Sequence, residues 1–341
     1  MGSPNDNNIN YMICVRCMTF NHAPYIVDAM NGFCMQQTNF PFVCTIFDDS
    51  STDGEQEVIR NYLHENFDLE DKSVVLNEES NDYYLTFARH KTNKNCFFAV
   101  FFLKYNHHKL KKPKNPYSEK FIDGVKYIAL CEGDDYWIES NKLQIQIDFF
   151  EKHADYSMCY TGFQTIDEKG NNIVRPKYEK AMKMSQSGDI LSHLLITNFI
   201  LTCTTIFRKE VFDSPWLQGF SFNHDYTYFL SASICGKCQF FPQKTAAYRQ
   251  TYTGAMATRR PWVSRAYHET KLLIYNGLCN GSIPIEKKRL SSNILKTIAK
   301  YCIFTDDKEF RKRYRNIVKQ NKVLWKYAII DLIKKKITRI I

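Results

Sequence analysis

Residues 127–137 read YIALCEGDDYW. From Lys126 to Cys131 the run is apolar without alternation and of strand length, the pattern of a strand buried on both faces. It passes directly into Glu132, Gly133, Asp134 and Asp135. The same grammar recurs upstream. Phe42 to Phe47 (FVCTIF) is a second continuous apolar run, and it ends in Asp48-Asp49-Ser50-Ser51-Thr52-Asp53-Gly54, a cluster suited to a loop and helix cap. Tyr11 to Met18 is a third, ending in Thr19-Phe20-Asn21-His22. Between these runs Ile26, Met30 and Phe33 recur at helical spacing behind Pro24, and Val58, Ile59, Tyr62 and Leu63 mark one face of another helix.

Apolar strands separated by helices predict an α/β fold with a parallel sheet covered on both faces. In such sheets ligands bind beyond the carboxyl ends of the strands. Three strands end in residues capable of chemistry: Thr19 and Asn21, Asp48 and Asp49, and Glu132, Asp134 and Asp135. A further short strand is expected at Lys72 to Leu76. The segment from Asn93 to Asp123 is long and irregular; its aromatic run FFAVFF (97–102) reads as core, either helix or strand, and Lys109 to Pro116 as an exposed basic insertion near the site. Downstream, a helix is expected at Asn141 to Lys152, strands at Tyr156 to Tyr160, Leu201 to Phe207 and Gln239 to Phe241, and a helix at Asp225 to Ile234.

The 341 residues are 44% apolar and 24% charged, a globular composition that excludes disordered and collagen-like chains. No apolar stretch approaches the roughly 20 residues of a membrane span. The polar start, Gly2 to Asp6, lacks the apolar core of a signal peptide, so a cytoplasmic protein with reduced cysteines is expected. Charge is unevenly placed: residues 266–341 hold 18 Lys and Arg against 6 Asp and Glu, whereas residues 1–265 hold 28 against 30. A neutral core with a basic tail does not have the basic face of a nucleic-acid-binding domain. Phosphate-loop, dinucleotide, zincin and nucleophile-elbow motifs are absent from the sequence.

Adjacent carboxylates such as Glu132, Asp134 and Asp135 repel unless they share a cation. An oxygen-only set beside an anionic partner suits Mg²⁺ or Mn²⁺. Alone, the turn is an ordinary acidic turn; beside a second acidic strand end on the same sheet edge, it points to a site. Two Cys-x-x-Cys pairs, Cys14/Cys17 and Cys235/Cys238, read as free thiols, because residues 14 and 17 of one strand face opposite ways. His107 and His108 read as solvated surface.

The runs Val15 to Asn21, Ile46 to Gly54 and Tyr127 to Trp137 together resemble the family 2 glycosyltransferases of GT-A fold, in the bacterial branch carrying E-G-D-D-Y-W. The resemblance covers about residues 10–255. It implies a Rossmann-like, three-layer nucleotide-diphospho-sugar transferase domain over 8–258, with a basic helical extension over 259–341. It implies Thr19, Phe20 and Asn21 around base and ribose, Asp48 and Asp49 as their acceptors, and Arg89 as a basic residue near the nucleotide. The metal falls to Asp134, with Glu132 in support where the family has Asp. Asp225, at the head of a helix closed by Gly236-Lys237, is the expected general base, with His224 in place of the family's Glu. Asp135, Tyr136, Trp137 and Arg249 are expected about the sugar and diphosphate; a core anchor is the competing role for Trp137. The family's His after Tyr-Arg is replaced, since Gln250 and Thr251 follow Arg249.

The implied reaction is inverting transfer from a nucleotide-diphosphate sugar, by family habit a UDP-sugar with GDP- and TDP-sugars as alternatives, to a glycan or lipid-linked acceptor in bacterial surface polysaccharide or glycolipid synthesis. The competing reading is a degenerate binding protein of the same fold. The basic tail, with Trp325, Tyr327 and Ile329 among its lysines, suits peripheral contact with the inner face of the plasma membrane.

Overall fold

The computed structural model describes residues 9–218, 225–251 and 267–274, with isolated positions beyond. The first half alternates as the sequence predicts: β1 (Ile13–Thr19), α1 (Ile26–Cys34), β2 (Phe42–Asp48) and α2 (Glu55–Asn66). There follow β3 (Leu76–Glu79), β4 (Tyr83–Arg89), β5 (Cys96–Leu103), α3 (His107–Leu110), α4 (Asn115–Ile122), β6 (Tyr127–Leu130) and β7 (Tyr136–Trp137). Then come α5 (Lys142–Lys152), β8 (Tyr156–Ile166), α6 (Pro176–Met184), α7 (Leu191–Ile196), β9 (Ile206–Arg208), α8 (Pro215–Gln218), α9 (Asp225–Cys235) and β10 (Lys237–Arg249). Among the described residues no helix is long and apolar enough to cross a membrane.

Among the described residues ten strands lie in one sheet, ordered β3-β4-β5-β2-β1-β6-β9-β8-β10-β7. The centre, β5-β2-β1-β6, is parallel, as is β8 on β10. The sheet is nonetheless mixed, because β3, β4, β7 and β9 join antiparallel. The parallel sheet read from the apolar runs is the centre, and antiparallel strands extend it on both sides.

Local hydrogen bonding explains two other departures. Asp71 accepts from the amide and hydroxyl of Ser73, and Val74 N donates to Asp71 O, so this stretch turns and the strand begins only at Leu76. Between Leu201 and Phe207, the Thr204 and Thr205 hydroxyls each donate to a carbonyl three residues back, both at 2.7 Å. That back-bonding winds Thr202–Thr204 into a 3₁₀ turn and leaves only Ile206–Arg208 as strand.

β5 is buried at every position, which is why it reads as a featureless aromatic run. Phe98, Val100 and Phe102 join the core shared with Ile13, Val15, Cys17, Met30 and Phe33. Its other face carries Phe101, stacked on Phe47 at 4.4 Å between centroids. Phe121 of α4 meets Phe87 and Phe101 there. Cys17 belongs to the first core, whereas Cys14 meets the Thr45 hydroxyl at 3.6 Å, the opposed placement its strand position predicts.

The chain divides into two compact units. The first holds the whole sheet: the described residues through Gly188, with Phe199–Asp213 and Cys235–Gln250. The second draws on Asp189–Asn198, Ser214–Ile234 and the described residues from Thr251 on. Within the second, Tyr226 donates to Leu194 O at 2.7 Å and stacks on Tyr267 at 4.7 Å. Residues 267–274 are helical; the boundary expected at 258 and most of 259–341 lie outside the described residues.

Trp137 is 1% exposed, donates Nε1–H to Cys203 O at 2.9 Å and packs edge-on against Phe33. Its backbone lies so near α1 that a Cβ on Gly32 would stand 2.8 Å from Trp137 N. Trp137→Ala is expected to destabilise the fold by about 3–5 kcal/mol through the cavity and the orphaned carbonyl. Chemical denaturation of the full chain checks this.

Candidate active site

Because β2, β1 and β6 are neighbours and parallel, their carboxyl ends emerge side by side, with Thr19 opposite Asp48. The loops leaving them are laced together. Asp49 N donates to Thr19 O and Gly133 N to Met18 O, both at 3.0 Å. A Cβ on Gly133 would stand 2.2 Å from Thr19 Oγ1, so only glycine lets the acidic turn approach this closely.

Glu55, the first residue of α2, organises the loop after β1. Its buried carboxylate accepts from the Thr19 hydroxyl, from His22 N at 2.9 Å and from Ser51 Oγ at 2.8 Å. Burial pushes its pKa up, against these hydrogen bonds. Asn21 and Ser50 take left-handed backbone conformations, at φ 57° and 62°. Asn21 Oδ1 accepts from Thr52 N at 2.8 Å and Ala23 N donates to Asp53 at 2.9 Å, which holds the two loops together. The Phe20 ring stands exposed at this edge.

Asp48 and Asp49 have different surroundings. Asp48 is buried; its Oδ1 accepts from Gln56 Nε2 and Ser51 N, while Oδ2 has no partner. Desolvation raises its pKa. Asp49 accepts from His107 N at 2.7 Å and His108 N at 3.0 Å, and pairs with Lys114 at 3.0 Å. The basic insertion is thereby anchored beside the site. His107, expected at the surface, is fully buried, with its ring nitrogens on Tyr105 O and Tyr117 Oη.

Along the acidic turn and the two aromatic residues after it, the five side chains part company. The Asp134 side chain remains 22% exposed, with Oδ2 3.9 Å from His22 Nε2. Glu132 is half-buried beside it. Asp135 is buried and accepts from Arg249 N at 2.9 Å; burial, then the charge of Asp134, drives its pKa well up. Tyr136 is half-buried, whereas Trp137 is wholly occupied as a core anchor, which withdraws its ring from any sugar.

Arg249 is buried at the end of β10. Nε donates to Asp134 O at 2.9 Å, one terminal nitrogen to Glu168 O at 3.2 Å, and the other to Asp28 Oδ2 at 2.7 Å. Tyr25 and Tyr136 flank the guanidinium at 4.5 and 5.6 Å. Its donors are thus directed at protein oxygens that set the path of the turn.

The expected residues Thr19, Phe20, Asn21, Asp48, Asp49, Glu132, Asp134, Asp135, Tyr136 and Arg249 all belong to this one edge of the first unit. Arg89 does not. β4 runs antiparallel to β5, pairing Arg89 with Phe97, while Asp48 pairs with Phe102. Five residues of strand, about 17 Å, separate the two ends, and Arg89 instead meets Asp68 and Asp71. Asp225 opens α9 in the second unit, exposed; His224 lies outside the described residues. The sequence reading had no role for His22, Glu55, Asp28 or Lys114. Glu55 opens α2 directly behind Gly54, a local position that gives no sign of its contact with Thr19 across 36 positions.

No protein-family model matches the chain. Uncharacterized proteins of Mycobacterium tuberculosis and Mycobacterium bovis are 25% identical over 259 residues, 73% of this chain. The chain spans 63% of the length of these relatives. Among solved structures, residues 1–349 of S. aureus TarS in complex with UDP-GlcNAc match at a TM-score of 0.55 and 14% identity, covering 87% of this chain and 74% of that one. A second crystal structure of S. aureus TarS 1–349 matches at a TM-score of 0.52 and 12% identity, covering 89% of this chain and 78% of that one. The likeness is one of fold: mixed α/β with a large central sheet, of the GT-A type.

Lys142, the first residue of α5, is buried, donating to Gln146 Oε1 at 2.7 Å and lying 4.8 Å from the centre of the Trp137 ring. Burial pulls its pKa down to about 8. With the folded value below the unfolded one, the unfolded chain binds more protons between about pH 8 and 10.5, so stability is gained as pH rises through that window. Relative to Lys142→Met, the parent protein is expected to gain on the order of 3 kcal/mol across it. Urea melts of both proteins at stepped pH measure the difference.

Proposed function

We propose that this chain is a metal-assisted, inverting glycosyltransferase that moves a sugar from a UDP-sugar to an acceptor hydroxyl. The observation that carries the reading is one sheet edge holding both a buried carboxylate with an unused oxygen, Asp48 Oδ2, and an accessible one, Asp134, on a clamped turn. The GT-A likeness to TarS, whose structure was solved with UDP-GlcNAc, supports the donor class. The motif set of family 2 glycosyltransferases is consistent with both.

Asp48 Oδ2 is suited to accept a hydrogen bond from the base or ribose as the loop adjusts to a ligand, and Phe20 offers an exposed ring to stack there. The residues at the turn fit a divalent cation. Among the described residues no three Asp, Glu, His or Cys side chains form a ready-made cage. Mg²⁺ or Mn²⁺ needs none, being held by one or two carboxylates with substrate phosphates and water supplying the rest. Asp134 is the principal ligand, with Glu132 in support. Bound there, the cation supplies Lewis-acid stabilisation of the departing diphosphate. Arg249 fixes the height and direction of the turn, and Tyr136 flanks the sugar. Asp225 accepts the proton of the attacking hydroxyl, a role worth about 10²–10⁴-fold.

A ligand that binds only the folded state raises its stability by mass action. UDP-GlcNAc with Mn²⁺ is expected to raise the Tm and, with water taking the sugar in the absence of the acceptor, to release UDP and free GlcNAc slowly, the second readout separating a transferase from a binding protein. Asp134→Asn should lose the metal-dependent part of the shift. Asp225→Asn should keep it and turn over at least about 10²-fold more slowly. Normal turnover by Asp225→Asn removes the general-base assignment.

The setting proposed is the cytoplasmic face of a bacterial membrane, where surface-polysaccharide or glycolipid acceptors are lipid-linked. The basic segment 320–341 is the expected contact; it lies outside the described residues. In flotation with anionic liposomes the full chain should rise with the vesicles and a chain ending at residue 319 should not. Equal behaviour discards the contact.

A further inference from the structure

We infer that His22 is a protein ligand of the divalent cation alongside Asp134, with Thr19 and Glu55 as the residues that position its ring. This deepens the transferase reading above and rests on it. His22 Nε2 and Asp134 Oδ2 stand 3.9 Å apart, with both side chains about one-quarter exposed. That separation is too long for a hydrogen bond. It is shorter than twice a usual metal–ligand distance of about 2.0–2.2 Å, so one ion can be reached by both groups.

The opposite side of the ring is held. His22 Nδ1 lies 3.2 Å from Thr19 Oγ1, and that hydroxyl in turn donates to Glu55. Glu55 is surrounded by three donors: the Thr19 hydroxyl, His22 N and Ser51 Oγ. A carboxylate so surrounded accepts only. The Thr19 proton therefore points to Glu55, its oxygen faces Nδ1, and Nδ1 carries the ring proton. With Nδ1–H turned to Thr19, Nε2 is the ring nitrogen that can give a lone pair to a cation, on the side of Asp134. A metal-binding histidine whose other nitrogen is held by a hydroxyl or carboxylate follows the same pattern. Gly133 adds the last constraint, since its missing side chain allows the Asp134 turn to sit against the Thr19 hydroxyl.

An imidazole ligand has a consequence for metal choice. Carboxylate and water suit Mg²⁺ and Mn²⁺ alike, whereas nitrogen favours the later first-row ions. The site should hold Mn²⁺ in preference to Mg²⁺, and His22→Asn should narrow that preference.

The test uses the full chain with Mn²⁺ and UDP. Electron spin echo spectra of the ternary complex are expected to show ¹⁴N modulation from a bound imidazole. In His22→Asn this modulation should vanish and Mn²⁺ affinity in the presence of UDP should fall about 10-fold or more, with metal-free UDP binding unchanged. Thr19→Val, which keeps the ring and removes its support, should retain the modulation with weaker Mn²⁺ binding. Should Mn²⁺ and UDP bind in an Asp134-dependent way without nitrogen modulation in the parent protein, His22 is not a ligand and the transferase reading stands. This outcome requires no variant of His22 to fold. If UDP binding shows no dependence on Mn²⁺ at all, the metal-assisted transferase reading fails and the ligand assignment fails with it.

Discussion

A buried guanidinium holds this site together. Arg249 is 4% exposed, and its fork reaches the Asp134 carbonyl, the Glu168 carbonyl and the Asp28 carboxylate, while its own amide donates to Asp135. One side chain therefore ties the end of β10 to the acidic turn, to the turn after β8 and to the first turn of α1. Arginine suits this because its donors are planar, fixed and always charged; a lysine would offer one point charge and no fork. Burying the charge is tolerable because an ion pair and several carbonyl oxygens surround it. The consequence is a turn whose backbone is set before any ligand arrives, leaving the partly exposed Asp134 carboxylate as its adaptable part.

The second constraint is steric. Thr19 and Gly133 are in contact because β1 and β6 are adjacent and parallel, and the absence of a side chain at 133 keeps them so. Through Thr19 the contact extends to Glu55, a buried carboxylate raised in pKa by its surroundings yet held by three donors. Polar networks of this kind are rigid when fully bonded and costly when broken. This one connects the first residue of α2, the loop after β1 and the acidic turn, so that three loops from distant parts of the sequence behave as one surface. The surface is asymmetric: Asp49 and Asp135 are committed to holding the protein together, whereas Asp48 and Asp134 each keep an oxygen turned from that task.

Much of this was legible along the chain. Continuous apolar runs located β1, β2 and β6, because a strand buried on both faces has no polar alternation to hide it; the aromatic run of β5 was legible as core, but strand pairing and not periodicity decided it against a helix. The polar residues following three of those runs marked the right edge of the sheet. Where reading failed, the cause was an interaction between residues far apart or a local bond that overrode propensity. Arg89 follows a recognisable motif, but the antiparallel entry of β4 carries it to the opposite edge. His107 sits among lysines and is buried nonetheless, because Asp49, 58 positions earlier, accepts its amide. Trp137 had two readings, and packing against Phe33 with its indole on Cys203 O decided for the core.

By itself the sequence determined the layered α/β class, the strands that bear the site and the kinds of side chain gathered at its edge. These follow from hydrophobic periodicity and from turn chemistry, both local properties that a linear chain displays. Only the folded chain decided which of four neighbouring acids stay accessible, that Arg249 grips the protein, and that His22 faces Asp134. Those outcomes depend on strand order and on close approach between residues up to 221 positions apart, and no local pattern encodes a distance across a sheet.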